Sequence, residues 1–343
     1  MITNLETIQR QDNINQIYKD SADIAGAAVL LEIGAQYGVI DFLRSSEIID
    51  VSDVVKNTGI PTNILLRYLK ALVSAGLIKP LEPGSESGKF RAMSFFDQMI
   101  HTVGYVCWGL GACQPLISHA REFANSPLAS CQNYKRDGGL VARTSAWMGE
   151  KAFYPQAERA IISLRPKRIV DLGAGSAQLL IQCLKLLPDA IGIAVDVSAK
   201  ACAQARSAAE QAGVTDRLEV VESPIQVLAD DDSILQGADV IHAGFVLHDL
   251  LPEEEASLDA ILFACHKAAP TGTLLFMEAI PYAERNEERM FSAAFSFLHE
   301  CFMGRTLLSE AAWRKKLLQA GFKHIKCEPL GIPGGRLFSA TSL

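Results

Sequence analysis

The spacing of apolar residues changes rhythm twice along this chain. From Ser21 to Leu43 they fall every three or four positions (Ile24, Ala27, Ala28, Leu31, Ala35, Val39, Phe42), which predicts one amphipathic helix. A shorter helix is expected over Ser52 to Gly59. A third opens at Pro61-Thr62-Asn63 and carries Leu65, Leu66, Leu69 and Leu72 to a stop at Gly76. Leu77 to Met93 then sets a polar tip, PGSESG, between LIKPL and KFRAM, which predicts a two-stranded wing. The order helix-turn-helix-wing is that of a winged helix. Residues 97–160 stay helical and gain Trp108, Tyr134, Arg136, Trp147, Phe153 and Tyr154. After Arg165-Pro166-Lys167 short apolar runs alternate with helices. Strands are expected at 168–171, 191–195, 217–221, 239–243, 272–278, 323–327 and 335–341. Such alternation makes the class α/β, with a doubly wound seven-stranded sheet. Three domains are expected: 1–96, a winged-helix dimerisation domain; 97–160, a helical linker and active-site roof; and 161–343, a cofactor domain.

Composition narrows the partners. The chain has 343 residues, 49% of them hydrophobic, and a formal net charge of −7, so no electrostatic footprint for nucleic acid is present. The third helix, where a winged helix would read DNA, carries only Arg67 and Lys70 as cations. Its leucines favour a dimerising and substrate-covering role. Eight cysteines form no C-x-x-C pair, which argues against a zinc knuckle or a disulfide framework and for buried thiols in a reducing compartment. The N-terminal residues are polar, and no apolar run approaches membrane-spanning length. The expected location is the cytoplasm, with no membrane partner.

Candidate chemistry begins at RIVDLGAGSAQLL, residues 168–180. A buried strand, a turn at Gly173 and Gly175, and a helix start make a ligand loop, since glycine permits both the turn and a close approach. The strand IGIAVDV brings Asp196 to its tip, where a carboxylate accepts hydrogen bonds from a ribose diol. NAD and S-adenosylmethionine both carry one. Asp171, expected in the loop, would repel a pyrophosphate and suit a ligand with an ammonium or sulfonium group. That favours S-adenosylmethionine over a dinucleotide, with an N-cap role for Asp171 as the plainer possibility.

VDLGAGSAQ, Asp196, RLEVVESP and AGFVLHDLLPEEEASLDAILFACHKAAPTGTLLFMEAIP together resemble the motifs of class I S-adenosylmethionine-dependent methyltransferases of the O-methyltransferase type. The resemblance spans nearly the whole chain. It implies a winged-helix dimerisation domain ahead of a Rossmann-like domain, S-adenosylmethionine as cofactor, and a homodimer. Gly173, Gly175 and Gly244 then join Asp171 and Asp196 in the cofactor site. Where the family has Gly-Asp after the third strand of the sheet, this chain has Glu222-Ser223-Pro224, so adenine contact passes to Ser223.

Two histidines divide the expectations for the acceptor. His248, in FVLHDL just beyond the fourth strand of the sheet, matches the general base of the O-methyltransferases, and on that reading His299 needs no role. His299 lies in FSFLHECFMGR among apolar residues, where a lone histidine is ordinarily packed core. The chain is also similar to a smaller branch, the α-keto-acid C-methyltransferases that methylate carbon 3 of phenylpyruvate or of 5-guanidino-2-oxopentanoate. That similarity implies iron held by His248 and His299, a substrate carboxylate held by Arg136 of YKRDGG, Asp249 as a catalytic residue beside the first ligand, and Trp108 lining the pocket. A metal on two imidazoles would activate the enolate of a 2-oxo acid. The main expectation is therefore C-methylation of a 2-oxo acid, 5-guanidino-2-oxopentanoate on the route to 3-methylarginine. The alternative is metal-free O-methylation with His248 as base. Glu32, Asp97 and Glu300 are candidate acids for a guanidinium, and His101, His119, His242, His266 and His324 are expected to be structural or superficial.

Overall fold

A computed structural model describes residues 2–82 and 88–342, with side chains from Lys19 onward. Two compact units divide the chain: Met1–Ser118 with Arg136–Gly149, and His119–Lys135 with Glu150–Leu343. The helical stretch 97–160 is thus divided between them. Ile100, Val103 and Trp147 belong to the core of the first unit, whereas Phe123 stacks on Phe302 of the second at 4.6 Å.

In the first unit, the helix expected to run to Leu43 ends earlier. It spans Ile2–Gln36, and Gly38 at φ 71° turns the chain into a second helix, Val39–Ser45, because a left-handed residue cannot continue a right-handed helix. The helix-turn-helix pair is Val51–Thr58 and Thr62–Ser74. Asp50 caps the first of these through Ser52 N, and Gly59 closes it at φ 71°. The wing has three strands rather than two: β1 (Ile49–Asp50), β2 (Ile78–Pro80) and β3 (Lys89–Ala92), in the order β1-β3-β2, all antiparallel. Ile49 pairs with Phe90, a residue pair too short to show as alternation in the sequence. The wing tip at 83–87 lies outside the described residues. Leu31, Leu65, Leu69, Leu72, Val54 and Ile78 fill the core, as the three- and four-residue spacing requires.

The second unit is a seven-stranded sheet of β4 (Arg168–Leu172), β5 (Ile191–Asp196), β6 (Leu218–Glu222), β7 (Val240–Gly244), β8 (Thr273–Ala279), β9 (His324–Pro329) and β10 (Gly335–Thr341). All seven expected strands are present, within a residue or two at each end. The order is β6-β5-β4-β7-β8-β10-β9, parallel through β8 and antiparallel for the last two pairings. Chain order reverses at β4, so a crevice opens beyond the C-terminal ends of β4 and β7, where open α/β sheets bind their ligands. Helices Gln178–Leu186, Ala199–Ala212 and Glu255–Ala268 cross between parallel strands. The PEEEASLD acids open the last of these, where carboxylates suit the positive helix end.

Candidate active site

Asp171, Gly173, Gly175, Asp196, Ser223 and Gly244 all come to the C-terminal edge of the sheet. Gly173 adopts φ 67°, and a Cβ there would meet Val246 Cγ2 at 2.7 Å, so both conformation and space demand glycine. The loop amides are already committed. Gly173 N and Ala174 N donate to Val195 O at 2.8 and 3.0 Å, and Gly175 N donates to Asp196 Oδ2 at 2.8 Å. Ala177 N bonds back to Ala174 O. A loop whose N–H groups are spent on the neighbouring strand β5 has few to offer a pyrophosphate, and this disfavours a dinucleotide.

The reason differs from the one expected. Asp171 lies in β4, not in the loop, and does not cap the following helix, whose N-cap is Ala177 with no side-chain cap bond. Its carboxylate is buried at 4% exposure, with Oδ1 2.6 Å from His242 Nδ1 across the β4–β7 pairing. Asp196 is pinned by Gly175 N on one oxygen and Ser198 N on the other, both at 2.8 Å. Each oxygen keeps a lone pair, so the carboxylate is oriented for a vicinal diol without being consumed. Neither aspartate has a lysine or arginine partner among the described residues. Ser223, half-buried, follows β6; its N donates to Asp196 O, and its hydroxyl to Pro224 O at 3.3 Å.

Beyond β7 the chain passes Phe245, at φ 55°, into a short turn, Leu247–Leu250, that carries His248. The ring is 4% exposed, and its Nδ1 lies 2.7 Å from Glu278 Oε2. Glu278 Oε1 accepts from Leu247 N at 2.8 Å and His248 N at 3.2 Å. Three N–H groups therefore compensate a fully buried carboxylate near the C-terminal end of an apolar strand. With Nδ1–H donating, the neutral ring carries its lone pair on Nε2. Glu278 had no assigned role in the sequence. The available signal was one acid inside TLLFMEA, a strand buried at every position.

His299 is packed, as a lone histidine on an apolar face would be, yet it is not alone. It stacks on Phe295 at 3.9 Å, donates Nδ1–H to Phe295 O at 2.8 Å, and faces His248 with ring centroids 5.4 Å apart at 75°. Its place is a π-helical turn, Leu298–Phe302, whose wider pitch re-aims side chains relative to the preceding helix. Asp249 is exposed; its Oδ1 lies 3.8 Å from His248 Nε2 and 3.9 Å from Arg305 Nε. Arg305 N also donates to His299 O at 2.8 Å, so this arginine ties the two histidine segments together. No group of three or more His, Cys, Asp or Glu able to hold a metal occurs among the described residues. A metal here would have two imidazole donors from the protein.

Trp108 and Arg136 belong to the other unit. Trp108 is buried in a second π-helical turn, Cys107–Ala112. Ala112 O accepts from Asp137 N at 3.0 Å, which ties that turn to the loop holding Arg136, and Asp137 Oδ1 takes Leu140 N at 2.9 Å. Arg136 is half-buried and makes no hydrogen bond or ion pair among the described residues. Its charge is felt at Cys113, whose thiol burial pushes up to about 11 while Arg136 pulls it down. The three candidate acids are all engaged: Glu32 by Arg143 and Gln36, Asp97 by Arg44 at 3.0 Å, and Glu300 by the Tyr282 hydroxyl at 2.8 Å. Glu32 keeps Oε2 buried and without a hydrogen-bond partner. His242, expected to be structural, is buried and holds Asp171. The cysteines are free, and Cys107, Cys113, Cys183, Cys202 and Cys265 are buried.

Comparison with known proteins fits this geometry. Residues 170–274 match a family model described as a methyltransferase domain. Human N-acetylserotonin methyltransferase, solved with S-adenosylmethionine, is 16% identical with a TM-score of 0.60, and the match covers 96% of this chain and 97% of that one. An amino-demethylriboflavin dimethyltransferase from Streptomyces davawensis is 19% identical over 96% and 99% of the two chains, with a TM-score of 0.59. A mitomycin 7-O-methyltransferase is 17% identical over 98% and 99%, with a TM-score of 0.55. The chain has the fold of the S-adenosylmethionine-dependent O-methyltransferases, and the methyltransferase-domain match includes Asp171, Asp196 and His248.

Proposed function

We propose that the protein is an S-adenosylmethionine-dependent methyltransferase whose acceptor is activated at His248. The observation that carries this reading is the buried Glu278 carboxylate, which takes Nδ1–H and sets the lone pair on Nε2. On the general-base form of the reading, a substrate hydroxyl loses its proton to His248 Nε2 as its oxygen attacks the sulfonium methyl. The C–O bond forms, the C–S bond breaks, and S-adenosylhomocysteine leaves with a neutral thioether sulfur. Asp171 and Asp196 hold the donor by its ammonium and ribose. The names of the solved relatives lend most support to this O-methylation, although one of them is named for a dimethylated amine. A shared fold leaves the acceptor atom open.

His299 favours a second acceptor. Both imidazoles are held at Nδ1 by an acceptor, the arrangement by which metal-ligating histidines are oriented. His248 and His299 would hold a mononuclear metal, and the resemblance to the α-keto-acid enzymes makes that metal iron. Bound there, it would supply Lewis-acid stabilisation of an enolate oxygen. On this reading the acceptor is C3 of a 2-oxo acid, 5-guanidino-2-oxopentanoate on the route to 3-methylarginine. Arg136 would hold the carboxylate through its planar fork, Trp108 would line the pocket, and Asp249 would act beside His248. The homodimer and the cytoplasmic location belong to the same proposal.

One experiment separates the two acceptors. Purified protein is assayed for bound metal, then incubated with S-adenosylmethionine and a panel of phenols and 2-oxo acids, with and without chelator, and products are read by mass spectrometry. A methylated phenol insensitive to chelator establishes the base reading. A chelator-sensitive C3-methylated 2-oxo acid establishes the metal reading, and no methylated product from either class sinks both.

A further inference from the structure

His242 sits inside β7, where a parallel strand buried on both faces ordinarily carries an aliphatic residue. Its Nδ1 meets Asp171 Oδ1 at 2.6 Å, and its Nε2 is buried with no hydrogen-bond partner. Among the described residues the ring's one hydrogen-bond partner is Asp171. The groups beside the aspartate feel its charge. The Tyr154 hydroxyl is pushed up to about 12 by burial and then by the Asp171 charge, and the Cys183 thiol to about 12 by burial, then by Glu158 and Asp171. Asp171 is the penultimate residue of β4, which ends at Leu172 just before Gly173, at the switch point of the sheet. A carboxylate there, with no lysine or arginine partner among the described residues, is built to meet a cation. On its own it could swing among rotamers, and the imidazole removes that freedom.

We propose that His242 is a positioning residue for the donor site: it fixes the Asp171 carboxylate so that Asp171 receives the α-ammonium of an amino-acid-bearing nucleoside. The proposal rests on reading this edge as the S-adenosylmethionine site, and it adds that recognition of the amino-acid end depends on a side chain that does not itself touch the ligand. Gly244 supports the placement. A Cβ there would lie 3.4 Å from His242 Cε1, so the ring leans toward the C-terminal edge of the sheet.

The test uses two nucleosides that differ in the amino-acid group. S-adenosylhomocysteine carries the ammonium, and 5′-methylthioadenosine lacks it. Isothermal titration of the full chain with both probes is compared among wild type, His242→Leu, His242→Asn and His242→Gln, with circular dichroism as the folding control. Asn keeps a donor near the Nδ1 position, whereas Gln moves it toward Nε2. His242→Leu and His242→Gln should weaken S-adenosylhomocysteine by about tenfold or more, with 5′-methylthioadenosine held within about twofold. His242→Asn should recover most of the loss. If Leu does not fold, Gln carries the comparison. Unchanged S-adenosylhomocysteine affinity, or an equal loss for both probes, overturns the role of His242 while leaving the cofactor reading intact. Wild-type protein that binds neither probe overturns the cofactor reading itself.

Discussion

Two buried histidine–carboxylate pairs stand in the sheet unit, and they are nearly the same bond put to different use. His242 Nδ1 meets Asp171 at 2.6 Å, and His248 Nδ1 meets Glu278 at 2.7 Å. In the first pair the carboxylate has the exposed future: Asp171 lies at the ligand edge and carries one protein partner, so the histidine serves the acid. The second pair runs the other way. Glu278 is fully buried and takes three N–H groups, so the acid serves the histidine, whose Nε2 lies 3.8 Å from Asp249 Oδ1 and whose ring meets that of His299 edge-on. The direction of service follows from position. The two served members, Asp171 beside the glycine turn after β4 and His248 in the turn beyond β7, lie at the edge where open α/β sheets bind ligands, and each supporting partner lies in the strand alongside.

Removing the serving or the served member should separate the pairs. The largest effect is expected for His248→Ala, a fall of about 10³-fold in kcat/KM with S-adenosylhomocysteine affinity nearly unchanged. Retained turnover would show that His248 is not the activating group. Glu278→Gln should follow at about 10²-fold, because an amide N–H facing Nδ1 forces the ring into the wrong tautomer. Its kcat/KM loss should exceed its loss of thermal stability relative to Glu278→Asp; a variant that only melts earlier would reduce Glu278 to a structural part.

His299→Ala sharpens the acceptor half. Metal-assisted chemistry predicts at least about 10²-fold loss on the 2-oxo acid together with loss of bound metal, whereas base chemistry predicts activity within about threefold of wild type. The smallest effect belongs to the donor half: Asp196→Asn should weaken S-adenosylhomocysteine by about tenfold, since an amide still pairs with the loop but loses the charge on the diol bonds. Equal binding by the variant would remove the ribose assignment.

The placement of the residues expected to hold the donor is legible in the sequence, because each follows directly from a strand. Gly173, Gly175 and Asp196 follow strands whose apolar runs are visible, and the tip of a strand is a fixed address in a parallel sheet. Asp171 reads as a loop residue and lies in β4, because a strand end and a loop start look alike in sequence. His242 reads as structural, since a histidine two residues before a strand end shows no sign of the aspartate it meets on the neighbouring strand.

The acceptor half was less legible in geometry than in identity. His248 and His299 could be singled out, but 51 positions of chain separate them. Their 5.4 Å approach depends on a turn after β7, a π-helical turn at Leu298–Phe302 and the Arg305 tie. The sequence by itself determined the strand order of apolar runs, the glycine turn and the charge of the donor edge, all local or periodic properties. Tertiary structure decided which carboxylate each imidazole holds, because a hydrogen bond between β4 and β7 or between a turn and β8 depends on strand register, and register is set by packing across the whole sheet.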